Sequence, residues 1–139
     1  MKRKSTNKII VHCAYTPAGK YFDIEDIRKW HVEENGWKDV GYHFIVLLDG
    51  TIQIGRDIDE IGAHVRGHNI DSVGICYIGG KDYCNKKSKD TRTKAQKETL
   101  VDLIKVLKKI YTEAKVYGHN DFDKRKTCPC FDAKTEYED

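Results

Sequence analysis

The chain has 139 residues, of which 39% are hydrophobic and 34% charged, and its formal net charge is +3. That length suits one domain (1–139) around one core, and the ordinary balance excludes disordered and collagen-like classes. The charge is too small to argue for a nucleic-acid partner, and no apolar run is long enough for membrane insertion.

The first seven residues, MKRKSTN, read as a basic tail. No long apolar stretch follows them, so no signal peptide is expected. Cytoplasmic synthesis is the expectation, with delivery to any substrate beyond the membrane left to other factors. KIIVHCA, from Lys8 to Ala14, is rich in β-branched residues and reads as a buried strand. DIEDIRKWHVEE reads as a helix capped by Asp23, with Ile24, Ile27 and Trp30 on one face. Gly36 is its stop signal.

GYHFIVLLDGTIQIGR follows. Its two apolar runs flank Asp49-Gly50, a hairpin turn signal. SVGICYIGG reads as another buried strand, ended by glycines. The lysines of KDYCNKKSKDTRTK read as a solvated loop. Thr93 to Gln96, TKAQ, fits a capping box. The helix behind it carries Leu100, Leu103, Ile104, Leu107, Ile110, Tyr111 and Ala114 at helical spacing, a core stripe. KVYGH reads as a last short strand. Hairpin-linked and helix-linked strands together predict an α/β fold with a mixed sheet flanked by helices.

Six histidines and five cysteines carry the chemistry. The odd cysteine count argues against a disulfide framework, and no Cys-x-x-Cys pair supports a closed knuckle. His12 and His119 each end an apolar strand, where open α/β sheets form their clefts. Cys128 lies nine residues beyond His119, in a loop able to fold back. Two imidazoles and a thiolate suit Zn²⁺, and three protein ligands leave a fourth position for water. From spacing alone a structural role for these residues stays open.

Tyr42 and His43 are neighbours on a predicted strand and should face opposite sides. Cys13 and Cys76 read as core, His31 and His68 as surface or packing residues, and Trp30 as core. Trp37 is a candidate for stacking on sugar.

The segments VHCAYT, WHVEENGWKDVGYHFIVLLDGTIQIGRD, GAHVRGHN, SVGICYIGG, TKAQ and KTCPCFD carry more, because several motifs stand in one order. Together they resemble the zinc-dependent N-acetylmuramoyl-L-alanine amidases. Within that family the chain looks most like the amidase-type lysozymes of bacteriophages, which share a fold with peptidoglycan recognition proteins. The likeness runs from about Lys8 to Asp132. It implies a central sheet of about five strands, one Zn²⁺ per chain on His12, His119 and Cys128, and catalytic roles for Tyr42 and Lys126. His64, in GAHVRGHN, falls where relatives place a histidine near the site, implying a substrate contact. The implied substrate is peptidoglycan, cut between N-acetylmuramic acid and L-alanine after release of the protein to the cell wall. A monomer is expected, since nothing suggests a second apolar face.

The chain departs from the family in two places. Cys130 stands where relatives often have a small residue, a second thiol able to compete for metal or oxidise. The loop from His119 to Cys128 is about one residue longer, which makes Lys124 and Arg125 alternatives to Lys126. Rival classes are a module that binds peptidoglycan without cutting it and a regulatory protein with a protein partner.

Overall fold

The structure, a computed structural model, describes residues 1–138. A five-stranded sheet forms the centre, in the order β4-β3-β5-β1-β7. Its strands are β1 (Lys8–Cys13), β3 (Phe44–Val46), β4 (Ile52–Ile54), β5 (Ser72–Tyr77) and β7 (Lys115–Gly118). β1 pairs in parallel with both β5 and β7, β3 pairs in parallel with β5, and β4 is antiparallel to β3. The mixed sheet expected from the sequence is therefore present. β2 (Thr16–Pro17) and β6 (Gly80–Lys81) form a small separate pair.

Successive strand residues face opposite layers. Ile9, Val11, Val73, Ile75 and Tyr77 pack with Leu100, Leu103, Ile104 and Leu107 of α2 (Lys94–Ile110). Ile45, Cys76 and Ile78 pack on the other side with Ile24 and Ile27 of α1 (Ile24–Arg28). Burial on both faces explains why β1 and β5 read as unbroken apolar runs. Each fully buried aliphatic side chain contributes about 1.5–3 kcal/mol.

The local signals act where expected. Asp23 and Asp26 form a capping box on α1, and Thr93 and Gln96 form one on α2. α1 runs on into a π-helical turn, Lys29–Glu34, and Gly36 at φ +74° takes the left-handed conformation that ends it. Trp30 stacks on Phe22 at 5.4 Å and joins the α1 core. Cys13 and Cys76 are core, as read.

Four readings change. The N-terminal residues are docked rather than a free tail. Arg3 donates from its backbone to Asp59 O and from its guanidinium to the carbonyls of Ile58 and Glu60. Ile110, the last residue of α2, is 58% exposed, whereas Ala114 is buried beyond the helix. Arg92, read as part of a solvated loop, is buried. It pairs with Asp90 and Glu136 and lies 3.4 Å over the Phe131 ring, fastening α3 (Ala133–Glu136) to the body. Tyr42 and His43 do not divide between opposite layers, because β3 begins only at Phe44 and the two-residue period stops there. Both rings approach His64, at 6.5 and 6.0 Å. Among the described residues, no helix is long and apolar enough to cross a membrane.

Candidate metal centre

Parallel register builds the first half of the site. Val11 of β1 lies opposite Gly118 of β7, so His12 and His119 leave adjacent strands side by side. Their ring centroids are 4.8 Å apart. The loop after β7 supplies the rest. The Asn120 N–H donates to Cys128 O, and the Cys13 N–H donates to Cys128 Sγ at 3.1 Å. Cys128 Sγ then lies 3.9 Å from His12 Nδ1. One donor atom each from His12, His119 and Cys128 falls within 4.8 Å of the others. Among the described residues this is the only such cluster of three or more metal-binding side chains.

The donor set fits a metal that takes nitrogen and sulfur, unlike the hard oxygen-seeking cations. Protonation favours it as well. Burial above all, then the neighbouring His64 and His119, holds the His12 pKa well below the usual imidazole value. Burial and the Lys126 charge lower His119. Both rings are thus neutral at physiological pH and can offer a lone pair.

Tyr42 stands over His12 with ring centroids 5.1 Å apart, just before β3. Burial first, and then Cys76 and Cys128, push its phenol well above the ordinary value, so it stays protonated and can donate. Lys126 is exposed. It lines a groove of about 600 Å³ with Asn120, Thr127 and Cys130. Of the alternatives, Lys124 lines the same groove, while Arg125 is tied to Asp123 at 3.0 and 3.1 Å. Cys130 turns away from the donor cluster, towards Cys13 Sγ at 3.9 Å and Gly80 O at 3.3 Å.

His64 lies next to the donor cluster, near the site as the resemblance implied. Its Nδ1 is 2.9 Å from His12 Nε2, and its Nε2 is 3.2 Å from Ser72 Oγ. Both ring nitrogens have protein partners. Burial pushes its pKa down to about 3. His31 accepts from the Gly41 N–H and stacks on Trp37 at 4.5 Å, and His68 stacks on Phe122 at 4.1 Å.

Sequence reasoning missed Ser72 and the rim of the site. Tyr15, at φ +61°, shares a hydrogen bond with Ser88, which shares one with Thr127 beside Cys128. No spacing signal links residues so far apart. The strand alternation that puts Ser72 on the His12 face of β5 is the one hint the sequence holds.

Residues 2–131 match the N-acetylmuramoyl-L-alanine amidase family, and the chain belongs to that family. Its activity is that of an amidase acting on peptidoglycan. It is 44% identical to an endolysin of Klebsiella phage KP32, over 99% of this chain and 89% of that one. An endolysin of Escherichia phage T7 is 40% identical over the same shares of the two chains. Among solved structures, wild-type Drosophila PGRP-LB superposes with a TM-score of 0.79 at 27% identity, covering 98% of this chain and 82% of that one. The amidase LysC of Clostridium intestinale URNW gives 0.77 at 26% identity, covering 95% and 81%.

Proposed function

We propose that the protein hydrolyses the amide between N-acetylmuramic acid and L-alanine with one Zn²⁺ held by His12, His119 and Cys128, as a phage or prophage endolysin. The observation that carries this reading is the convergence of two imidazoles and a thiol at the carboxyl ends of β1 and β7. When bound, the ion would polarise the scissile carbonyl and acidify a water molecule.

The remaining chemistry belongs to the chain. Tyr42 keeps its proton at neutral pH and donates a hydrogen bond to the oxygen that gains charge during attack. Lys126 brings a positive charge close enough to be felt at His119, where it stabilises the oxyanion. In this reading the protein acts as a monomer, is made in the cytoplasm and meets the wall after release.

The test is digestion of purified peptidoglycan with and without a zinc chelator. New L-alanine amino termini and free lactyl groups are expected, lost on chelation and restored by zinc. New reducing sugar ends, or full activity in the chelator, would overturn the reading.

A further inference from the structure

Gly74 lies in the middle of β5, opposite Ile10 of β1, on the sheet face that carries His12. A Cβ at Gly74 would come 2.8 Å from the His64 ring, and one at Gly62 would come 2.7 Å from it. Two glycines thus leave a slot that an imidazole fills. The loop bearing that imidazole is fastened too. Asn69 Oδ1 accepts from the backbone N–H groups of both His64 and Val65 at 2.9 Å.

In this slot His64 bridges His12 Nε2, at 2.9 Å, and Ser72 Oγ, at 3.2 Å. Ser72 is fully buried on β5. The other nitrogen of His12, Nδ1, is the one that faces Cys128.

The geometry points to His64 as a positioning residue that holds His12 as the Nε2–H tautomer, with the Nδ1 lone pair aimed at Cys128 and His119. The two hydrogen bonds form one directional chain. His12 donates from Nε2 to His64 Nδ1 only when His64 carries its own proton on Nε2. Ser72 Oγ accepts a hydrogen bond from that Nε2–H. The reverse direction would put a proton on His12 Nδ1, facing the thiol and unable to ligate. Partners of this kind orient a ligating histidine and raise its basicity.

His43 provides a contrast at the same depth. It also sits against Gly74, but its Nδ1 accepts from the Gly74 N–H and its Nε2 meets Glu60 O. Its nitrogens meet these backbone groups and the Arg3 guanidinium at 3.4 Å, and reach no ligand. The inference rests on the zinc reading above and assigns His64 a role in shaping the metal site rather than in touching substrate.

The test compares wild type, His64→Leu, His64→Gln and Ser72→Ala, with folding checked by circular dichroism. Zinc affinity is measured by competition with a chromophoric chelator. The His12 tautomer is read in the metal-free protein by long-range ¹H–¹⁵N correlation. Wild type is expected to bind one zinc and to show the His12 proton on Nε2. His64→Leu should fold, weaken zinc by about 10- to 100-fold and leave the His12 tautomer mixed. His64→Gln, whose amide oxygen can accept from Nε2–H, should recover most of the affinity. Should His64→Leu fail to fold, Ser72→Ala asks the same question and should mix the tautomers. Wild-type zinc affinity and an unchanged tautomer in folded His64→Leu, or in Ser72→Ala if that serves in its place, overturn the assignment. So does unchanged zinc affinity with a raised KM on a soluble muramoyl peptide, which would make His64 a substrate contact. Failure of wild type itself to bind one zinc would sink the metal reading instead, and shows before any substitution is compared.

Discussion

The site is assembled from two halves held in different ways. The strand half is His12, buried in the sheet, with its partner His64 on a loop packed against β5. His12 is 1% exposed, and its strand is hydrogen-bonded on both sides. The loop half, from His119 to Asp132, is largely exposed around Lys124 to Thr127. It is tied down at a few points: Asn120 to Cys128, Cys13 to Cys128, Thr127 to Ser88, and Phe131 beneath Arg92. The difference separates two tasks. The sheet fixes where donor atoms converge, which demands rigidity. The loop carries the lysine on an exposed stretch, where a large substrate can reach it.

Breaking the donor set should have the largest effect. His12→Ala or Cys128→Ser should abolish zinc binding and lower amide hydrolysis by several kcal/mol, about a thousand-fold, in a peptidoglycan assay. Equal activity in either variant would mean the halves do not share a metal. Next come the groups that act on the reacting oxygen. Lys126→Ala and Tyr42→Phe should each keep zinc yet lose on the order of 3 kcal/mol of barrier lowering, read as kcat. If Lys124→Ala shows the loss in place of Lys126→Ala, the longer loop has shifted the lysine role by two residues.

A third test concerns the buried His43, just before β3. Burial pushes the His43 pKa from 6.5 down to about 4 in the folded protein. Its neutral form therefore stabilises the fold fully above pH 6.5. That contribution is lost as pH falls towards 4, because the unfolded chain takes up the proton first. The loss is on the order of 3 kcal/mol, measured as the denaturant midpoint against pH, and His43→Gln should flatten the slope. The loop half has its own anchor. Arg92→Ala should cost about 2 kcal/mol of stability through lost stacking and hydrogen bonds, since Asp90 and Glu136 can turn to water. The smallest effect is expected at Cys130. Its thiol points to Cys13, so Cys130→Ser should keep one zinc and change stability by less than about 0.5 kcal/mol. Loss of metal there would show that the second thiol belongs to the donor set.

Much of the scaffold was legible in order along the chain. The apolar runs of β1 and β5, the turn at Asp49-Gly50, the capping boxes at Asp23 and Thr93 and the stripe on α2 are local patterns, and each formed in place. Tyr42 and His43 were misread because strand periodicity was carried past the start of β3. The burial of Arg92 was hidden because its partner Glu136 lies 44 residues away.

Local chemistry, read from sequence alone, decided which segments become strands and helices, because hydrogen bonding, capping and apolar periodicity act over a few residues. It also supplied the histidines at strand ends and the thiol that follows them. Only tertiary structure decided that β1 and β7 are neighbours, that Gly74 and Gly62 open a slot for His64, and that Cys130 turns away. Those outcomes depend on which distant surfaces exclude water together, and contacts between residues far apart in the chain leave no spacing to read.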